Sequence, residues 1–316
     1  MAEAESPPIT LGRRLYVQLG VTVVVLAAVG GTLVAHRATL DSGTERLAAA
    51  DGEWLVLACL AALATWVCAA VAQQGAVVEP LPKGRLVAAQ FAAGAANHLL
   101  PAGAGATLVN LRFLTRCGLS TRRSATALAV KAAAGAAVRC ALGVTLLLVS
   151  PGTLRLSART PHPLPYLLVL LPVAAAVGVL AVVFNGRLRR AAGGALADVR
   201  DVHQCRARAC ALWGGSVGFA LLHAGVIVAV VHAIGLGLPT SGVVMAYLVA
   251  SGAAALLPTP GGLGSLDAAL ALALTAAGAP GPEAVSAVLG YRLLTGWLPM
   301  VPGLLVLALL ARRSAL

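Results

Sequence analysis

Charged residues are scarce in this sequence, and aromatic ones are scarcer. Asp, Glu, Lys and Arg make up 11% of 316 residues, and Phe, Trp and Tyr 4%. A soluble domain carries about 25% charged residues, so this chain lacks the polar surface that water would have to cover. The shortage of aromatics removes the stacking platforms used on single-stranded nucleic acid, and no nucleic-acid partner is expected. No C-x-x-C pair and no His/Cys cluster at zinc spacing is present, so no metal or cofactor is expected and the six cysteines read as reduced. Walker, G-x-S-x-G and H-E-x-x-H motifs are also missing. Without an ATP site, any transport would be passive or ion-coupled.

What remains is apolar: 59% hydrophobic residues and a mean hydropathy of +0.90. The fold class expected is an all-α polytopic membrane bundle. A spanning helix needs about 20 apolar residues, and six runs qualify, at 16–35, 54–78, 124–149, 164–184, 212–235 and 284–311. The run at 16–35 follows Arg13 and Arg14 and an acidic, Pro-containing start, so it reads as a retained helix rather than a cleaved signal. Two further apolar stretches are too short to cross. The stretch at 86–100 runs into Pro101-Ala102-Gly103-Ala104-Gly105, and that at 243–257 into Pro258-Thr259-Pro260-Gly261-Gly262-Leu263-Gly264.

The formal charge of +12 reads as a topology signal. With the N-terminus inside, 16 Lys and Arg fall in cytoplasmic segments (including Arg112 and the group 187–208) and 4 outside: Arg37, Arg46, Arg155 and Arg159. The reverse orientation inverts that ratio, so both termini are assigned to the cytoplasm of an inner or plasma membrane. Each broken stretch must then return to the side it left, as a re-entrant hairpin or as two short crossings, and its short length favours a hairpin buried against protein. The layout is a cytoplasmic segment 1–15, a first unit 16–149 with a hairpin near 86–109, an external loop 150–163, a second unit 164–311 with a hairpin near 243–278, and a tail 312–316. Three spans per unit set the second unit upside down. Such an inverted repeat with paired broken helices is a transporter signature.

The chemistry is expected at the breaks and at the embedded charges. Pro101, Gly103, Gly105, Pro258, Pro260, Gly261, Gly262 and Gly264 open the backbone and can present free N–H groups to an anion; the plainer reading is close packing through small residues. Asn97, beside His98, can satisfy a freed backbone group or touch a headgroup. Lys131 and Arg292 sit about two helical turns into their spans and are candidate partners for a phosphate. Asp267 is the one carboxylate in an embedded segment, free to pair with either cation, to take a proton, or to make a structural salt bridge. Arg139 is expected to snorkel toward the outer face. His223 and His232, nine residues apart on one helix, face opposite ways and are expected to be packed or hydrogen-bonded.

Three segments resemble one family. Asn97–Gly105 with Arg112 is similar to its first motif, Leu257–Asp267 to its second, and Gly290-Tyr291-Arg292-Leu293-Leu294-Thr295-Gly296-Trp297-Leu298-Pro299 to its third. The family is the lysylphosphatidylglycerol synthase transmembrane region, or flippase-like membrane proteins. The resemblance implies a lipid flippase, with substrate-binding residues including Tyr291. In fused members a cytosolic synthetase lysinylates phosphatidylglycerol; this sequence ends after its last span, so the synthetase is expected to be absent. Where the family carries Arg and Glu around its first Gly, this chain has Gly103 and Ala106, and where it carries Glu-Arg, this chain has Lys131-Ala132. Losing two carboxylates favours an anionic phospholipid or a polyprenyl-phosphate-linked lipid over a cationic lysyl-lipid. The alternatives are a non-transporting membrane partner of a lipid-modifying synthetase or glycosyltransferase, and an integral-membrane enzyme. Membrane lipids are the partners expected; a lipid-modifying enzyme and a second copy of the chain stay open.

Overall fold

The computed structural model describes residues 49–99, 104–150, 200, 203–256 and 264–312. The expected spans at 16–35 and 164–184 lie outside these residues, as do Pro101, Gly103, Pro258, Pro260, Gly261 and Gly262. Every regular element among the described residues is helical: α1 (Gly52–Gly75), α2 (Lys83–Leu99), α3 (Ala104–Arg116), α4 (Thr121–Val149), α5 (Arg206–Ala233), α6 (Thr240–Leu256), α7 (Ser265–Ala276), α8 (Gly281–Arg292) and α9 (Leu298–Arg312). A π-helical turn, Leu293–Trp297, joins α8 to α9.

Four stretches are long and apolar enough to cross a membrane: Gly52–Gly75, Thr121–Val149, Arg206–Ala233 and Gly281–Leu309. They coincide with four of the six expected spans. Large apolar side chains lie exposed along α1, α4 and α9, among them Leu57, Leu60, Val67, Leu148, Val301 and Leu305. An apolar surface of this extent on a helix bundle is a lipid-facing one.

Local sequence sets the ends. Asp51 caps α1 by accepting from the Glu53 N–H at 2.9 Å, and Ser120 caps α4 by accepting from the Arg123 N–H at 3.3 Å. Gly118 (φ 95°) closes α3 and Gly278 (φ 105°) closes α7 by one device. In each, the next residue's N–H reaches back to the helix: Leu119 to the Leu114 carbonyl at 3.2 Å, and Ala279 to Leu274 at 3.0 Å. Only glycine adopts that left-handed C′ position without strain.

The central packing is α1 against α5, antiparallel along their full lengths. The Asp51 N–H bonds the Ala233 carbonyl at 2.9 Å at one end, and Gly75 meets Leu212 at the other. Glycine makes the approach possible: a Cβ on Gly75 would stand 2.2 Å from the Leu212 backbone nitrogen, and one on Gly215 2.5 Å from that of Ala72. Small-residue seams of this kind let helix backbones touch where no hydrophobic force drives association.

The other helices pack in matching ways around this seam. The broken stretches form helix pairs, α2 with α3 and α6 with α7, while α2 packs on α9 and α6 on α4. Lengths match too: 17 residues in both α2 and α6, 13 and 12 in α3 and α7, and 29 in both Thr121–Val149 and Gly281–Leu309. Two buried cores result. One is built mainly from α1–α4 with Leu212 of α5, the other mainly from α5–α8 with Ala58 and Ala62 of α1.

Candidate functional site

Lys131 projects from α4 into a polar cluster drawn from three other helices. Its ammonium donates to Gln90 Oε1 of α2 at 3.0 Å and to Gln73 Oε1 of α1 at 3.3 Å. Gln90 Nε2 in turn donates to Asn110 Oδ1 of α3 at 2.8 Å, and Asn110 Nδ2 donates to the Ala106 carbonyl at 2.9 Å. Gln73, Gln90 and Asn110 are buried. All of Lys131's hydrogen-bond acceptors here are neutral amides, and a charge in apolar surroundings is costly without a counter-charge.

The cluster opens into a cavity of about 440 Å³ between α1, α2, α3, α4 and α5. Its lining holds two cations, Lys131 and Arg139, and no carboxylate. Trp66 Nε1, Gln73 Nε2 and Arg139 Nε are buried donors there without a hydrogen-bond partner among the described residues, and Asn97 Oδ1 is a buried acceptor without one. Buried polar groups are almost always paired, and these four stand without a partner among the described residues around one cavity. Among these atoms donors outnumber acceptors, and the charged residues of the lining are both cationic. Arg139 does not simply reach outward as expected: it lines this cavity and lies 5.8 Å from the centre of the Phe219 ring.

A second cluster forms at the start of α7. Arg292 Nε donates to Asp267 Oδ1, closing an ion pair, and Asp267 Oδ2 accepts the Gly264 N–H at 3.0 Å. Gly264 holds φ 85°, a left-handed conformation that suits glycine at the helix entry. Arg292 is buried and stands where α8 passes into the π-turn. Thr295 donates its hydroxyl to the Tyr291 carbonyl at 2.7 Å within that turn. The end of α2 reaches the same place, since a Cβ on Gly296 would lie 3.5 Å from the His98 ring. Single π-turns inside helices recur at functional sites.

The expected site residues therefore divide. Asn97 and Lys131 share the cavity; Gly264, Asp267 and Arg292 form the ion-pair cluster. The cavity lining does not include Arg292, so Lys131 and Arg292 are not brought to one cavity wall. Tyr291 is buried with its hydroxyl 2.9 Å from His223 Nδ1, between α8 and α5. Gly105 serves packing: a Cβ there would fall 1.9 Å from the Ala96 carbonyl oxygen of α2. Arg112 is exposed on α3. His232 stacks on Trp54 at 4.8 Å, so both span histidines are packed or hydrogen-bonded as expected. The six cysteines are free thiols, and the described residues hold no His, Cys, Asp and Glu group able to ligate a metal.

Gln73, Gln90, Asn110 and Trp66 were not among the sequence candidates. A signal existed, since each is a polar group set within an apolar run, and each amide that faces lipid alone is costly.

A family model described as "Lysylphosphatidylglycerol synthase TM region" matches residues 17–303. No curated protein matches the chain.

Proposed function

Because the chain belongs to the lysylphosphatidylglycerol synthase transmembrane-region family, a group of membrane domains with lipid-related roles, we propose that it moves an anionic phospholipid or a polyprenyl-phosphate-linked lipid between leaflets. The observation that carries this reading is Lys131, held by Gln73 and Gln90 at the wall of a cavity that contains no carboxylate. A lipid phosphate entering that cavity supplies the missing counter-charge and the acceptors for the orphaned donors.

The whole layout belongs to the proposal: six spans, two re-entrant hairpins and two units in inverted order. Matched helix lengths and the crossed packing of α2 on α9 and α6 on α4 support it. The antiparallel α1–α5 seam then lies on the pseudo-two-fold between the units. The distribution of Lys and Arg supports an inner or plasma membrane with both termini cytoplasmic. The protein is read as a transporter and not an enzyme: Asp267 is engaged by Arg292 and the Gly264 N–H, which leaves the second cluster poorly suited to acid–base work. An anionic substrate fits better than a lysyl-lipid, whose extra ammonium would meet Lys131 and Arg139.

Proteoliposomes holding labelled phosphatidylglycerol or labelled polyprenyl phosphate test this directly. Wild-type protein should speed the loss of label from the outer leaflet, and Lys131→Gln should slow it at least about tenfold, the cost of one charge-assisted contact of about 1.4 kcal/mol or more. Lys131→Arg should retain part of the rate. A Lys131→Gln protein as fast as wild type would overturn the assignment.

A further inference from the structure

Arg139 is the second cation of the cavity described above, and it shares one wall with the first. Leu128, Lys131, Ala132, Gly135 and Arg139 all line that cavity from α4. At about 100° per residue they fall within roughly 100° of one another, on a single face of the helix. The two charged residues stand eight positions apart, or about 12 Å along the axis at about 1.5 Å per residue. The Arg139 side chain shortens that gap. It lies back along α4 toward the helix N-terminus, the usual direction for a long side chain, and its Nη1 donates to the Gly135 carbonyl at 3.1 Å. Gly135 is one turn nearer Lys131 and leaves the room for this, since a Cβ there would stand 3.3 Å from Nη1.

Neither cation is neutralised by the side chains around it. The ion pairs among the described residues join Arg123 to Glu79 and Arg292 to Asp267. Lys131 gives two of its three N–H donors to the amide oxygens of Gln73 and Gln90. Arg139 holds its guanidinium 5.8 Å from the centre of the Phe219 ring, and its buried Nε has no partner among the described residues. Phe219 lines the cavity as well. A ring face and neutral amides soften a positive charge in apolar surroundings but do not cancel it.

We infer that Lys131 and Arg139 together form a two-point phosphate site that selects a lipid headgroup carrying about two negative charges over one carrying a single charge. A phosphomonoester meets that count near neutral pH, and a diphosphate meets it by having two phosphates; a phosphodiester does not. The phosphate oxygens take the remaining N–H of Lys131 and the Nε–H of Arg139, whose planar guanidinium suits a phosphate edge. Two unopposed cations on one wall, with no carboxylate in the lining, are then matched charge for charge. This rests on the transport reading above and names its substrate class, and it gives Arg139 a role in binding.

Lipids with matched tails isolate the headgroup charge. Dihexanoyl phosphatidic acid is a phosphomonoester, and dihexanoyl phosphatidylglycerol is a phosphodiester on the same tails. Isothermal titration of the full chain in detergent should show the phosphomonoester binding at least about tenfold more tightly, the effect of one further charge-assisted contact. Arg139→Gln should bring it down to the affinity of the diester, and Arg139→Lys should keep most of the preference. With Trp54→Phe, Trp213→Phe and Trp297→Phe combined, Trp66 reports from the cavity wall, and its emission should shift on binding. Equal affinities in the wild type, an unchanged preference in Arg139→Gln, or binding that leaves Trp66 emission unmoved would each overturn the two-point site. Inorganic phosphate binding as tightly as phosphatidic acid would make this a site for the free anion and overturn the lipid assignment. Proteoliposomes tell the two readings apart. Labelled phosphatidic acid and labelled phosphatidylglycerol moving at equal rates, unaffected by Arg139→Gln, would sink the headgroup selection and leave transport through Lys131 intact. Selective binding without movement of either lipid would sink transport instead, and binding of neither lipid would sink both.

Discussion

At the scale of single residues, the two embedded cations solve one problem in different ways. Arg292 carries its counter-charge with it: Asp267 is bound on one oxygen by the guanidinium and on the other by the Gly264 N–H. Among the described residues Lys131 has no such partner and is solvated by amides. Removing one member of a buried pair strands the other, at a cost that reaches about 3–5 kcal/mol when burial is complete. The Asp267 side chain is 27% exposed, so a smaller loss is expected here. Asp267→Asn and Arg292→Gln should each lower the unfolding midpoint in detergent, and the double variant should lose less than the sum, with a coupling of about 0.5–3 kcal/mol. Strictly additive losses would show that the pair is not an energetic unit. That these charges lie within helical apolar segments was legible from the sequence, because an ionised side chain in an apolar run stands out. Which partner each took was not. Pairing depends on how a helix is rotated about its own axis and on which neighbour it meets, and spacing along one strand of sequence fixes neither. Asp267 was open to Lys131 or Arg292, and Lys131 found Gln73 and Gln90, residues far from it in the chain.

Among the elements, the seam between α1 and α5 sets the tightest constraint. Gly214 and Gly215 are neighbours with opposite surroundings: a Cβ on Gly214 meets nothing within 4 Å, while one on Gly215 falls 2.5 Å from a backbone nitrogen of α1. Gly215→Ala should therefore cost about 1–3 kcal/mol, the range for overpacking. Gly214→Ala should be neutral or gain up to about 0.5–1 kcal/mol from helix propensity. Thermal unfolding of the two variants in one detergent checks both, and equal midpoints would contradict the seam. The helices themselves were readable from the sequence because runs of about 20 apolar residues have few other solutions. The seam was not. In a chain with 35 glycines, the few that permit backbone contact look no different from those that face open space.

For the molecule as a whole, sidedness is the property most open to measurement. Cys205 lies just before α5 and Cys117 between α3 and α4, both outside the spanning helices and both cytoplasmic under the proposed topology. Their thiols differ. The Arg208 backbone N–H beside the Cys205 sulfur lowers its pKa, whereas burial raises that of Cys117. A lowered thiol pKa leaves more thiolate at a given pH below the usual range. In inside-out vesicles a membrane-impermeant maleimide should therefore modify Cys205 before Cys117, and the gap should narrow as pH rises through the ordinary thiol range. Peptide mass spectrometry reads both sites. Faster labelling in right-side-out vesicles would reverse the orientation.

The α1–α5 seam also bears on how such a body can change shape. Side chains that interdigitate can slip between rotamers, but main chain resting on main chain has no such slack. The pair behaves as a keel, stiff along its length and unable to shear. Any widening or narrowing of the cavity beside it would then fall to α2, α3 and α4, the other helices that line it, turning about a line that itself stays still.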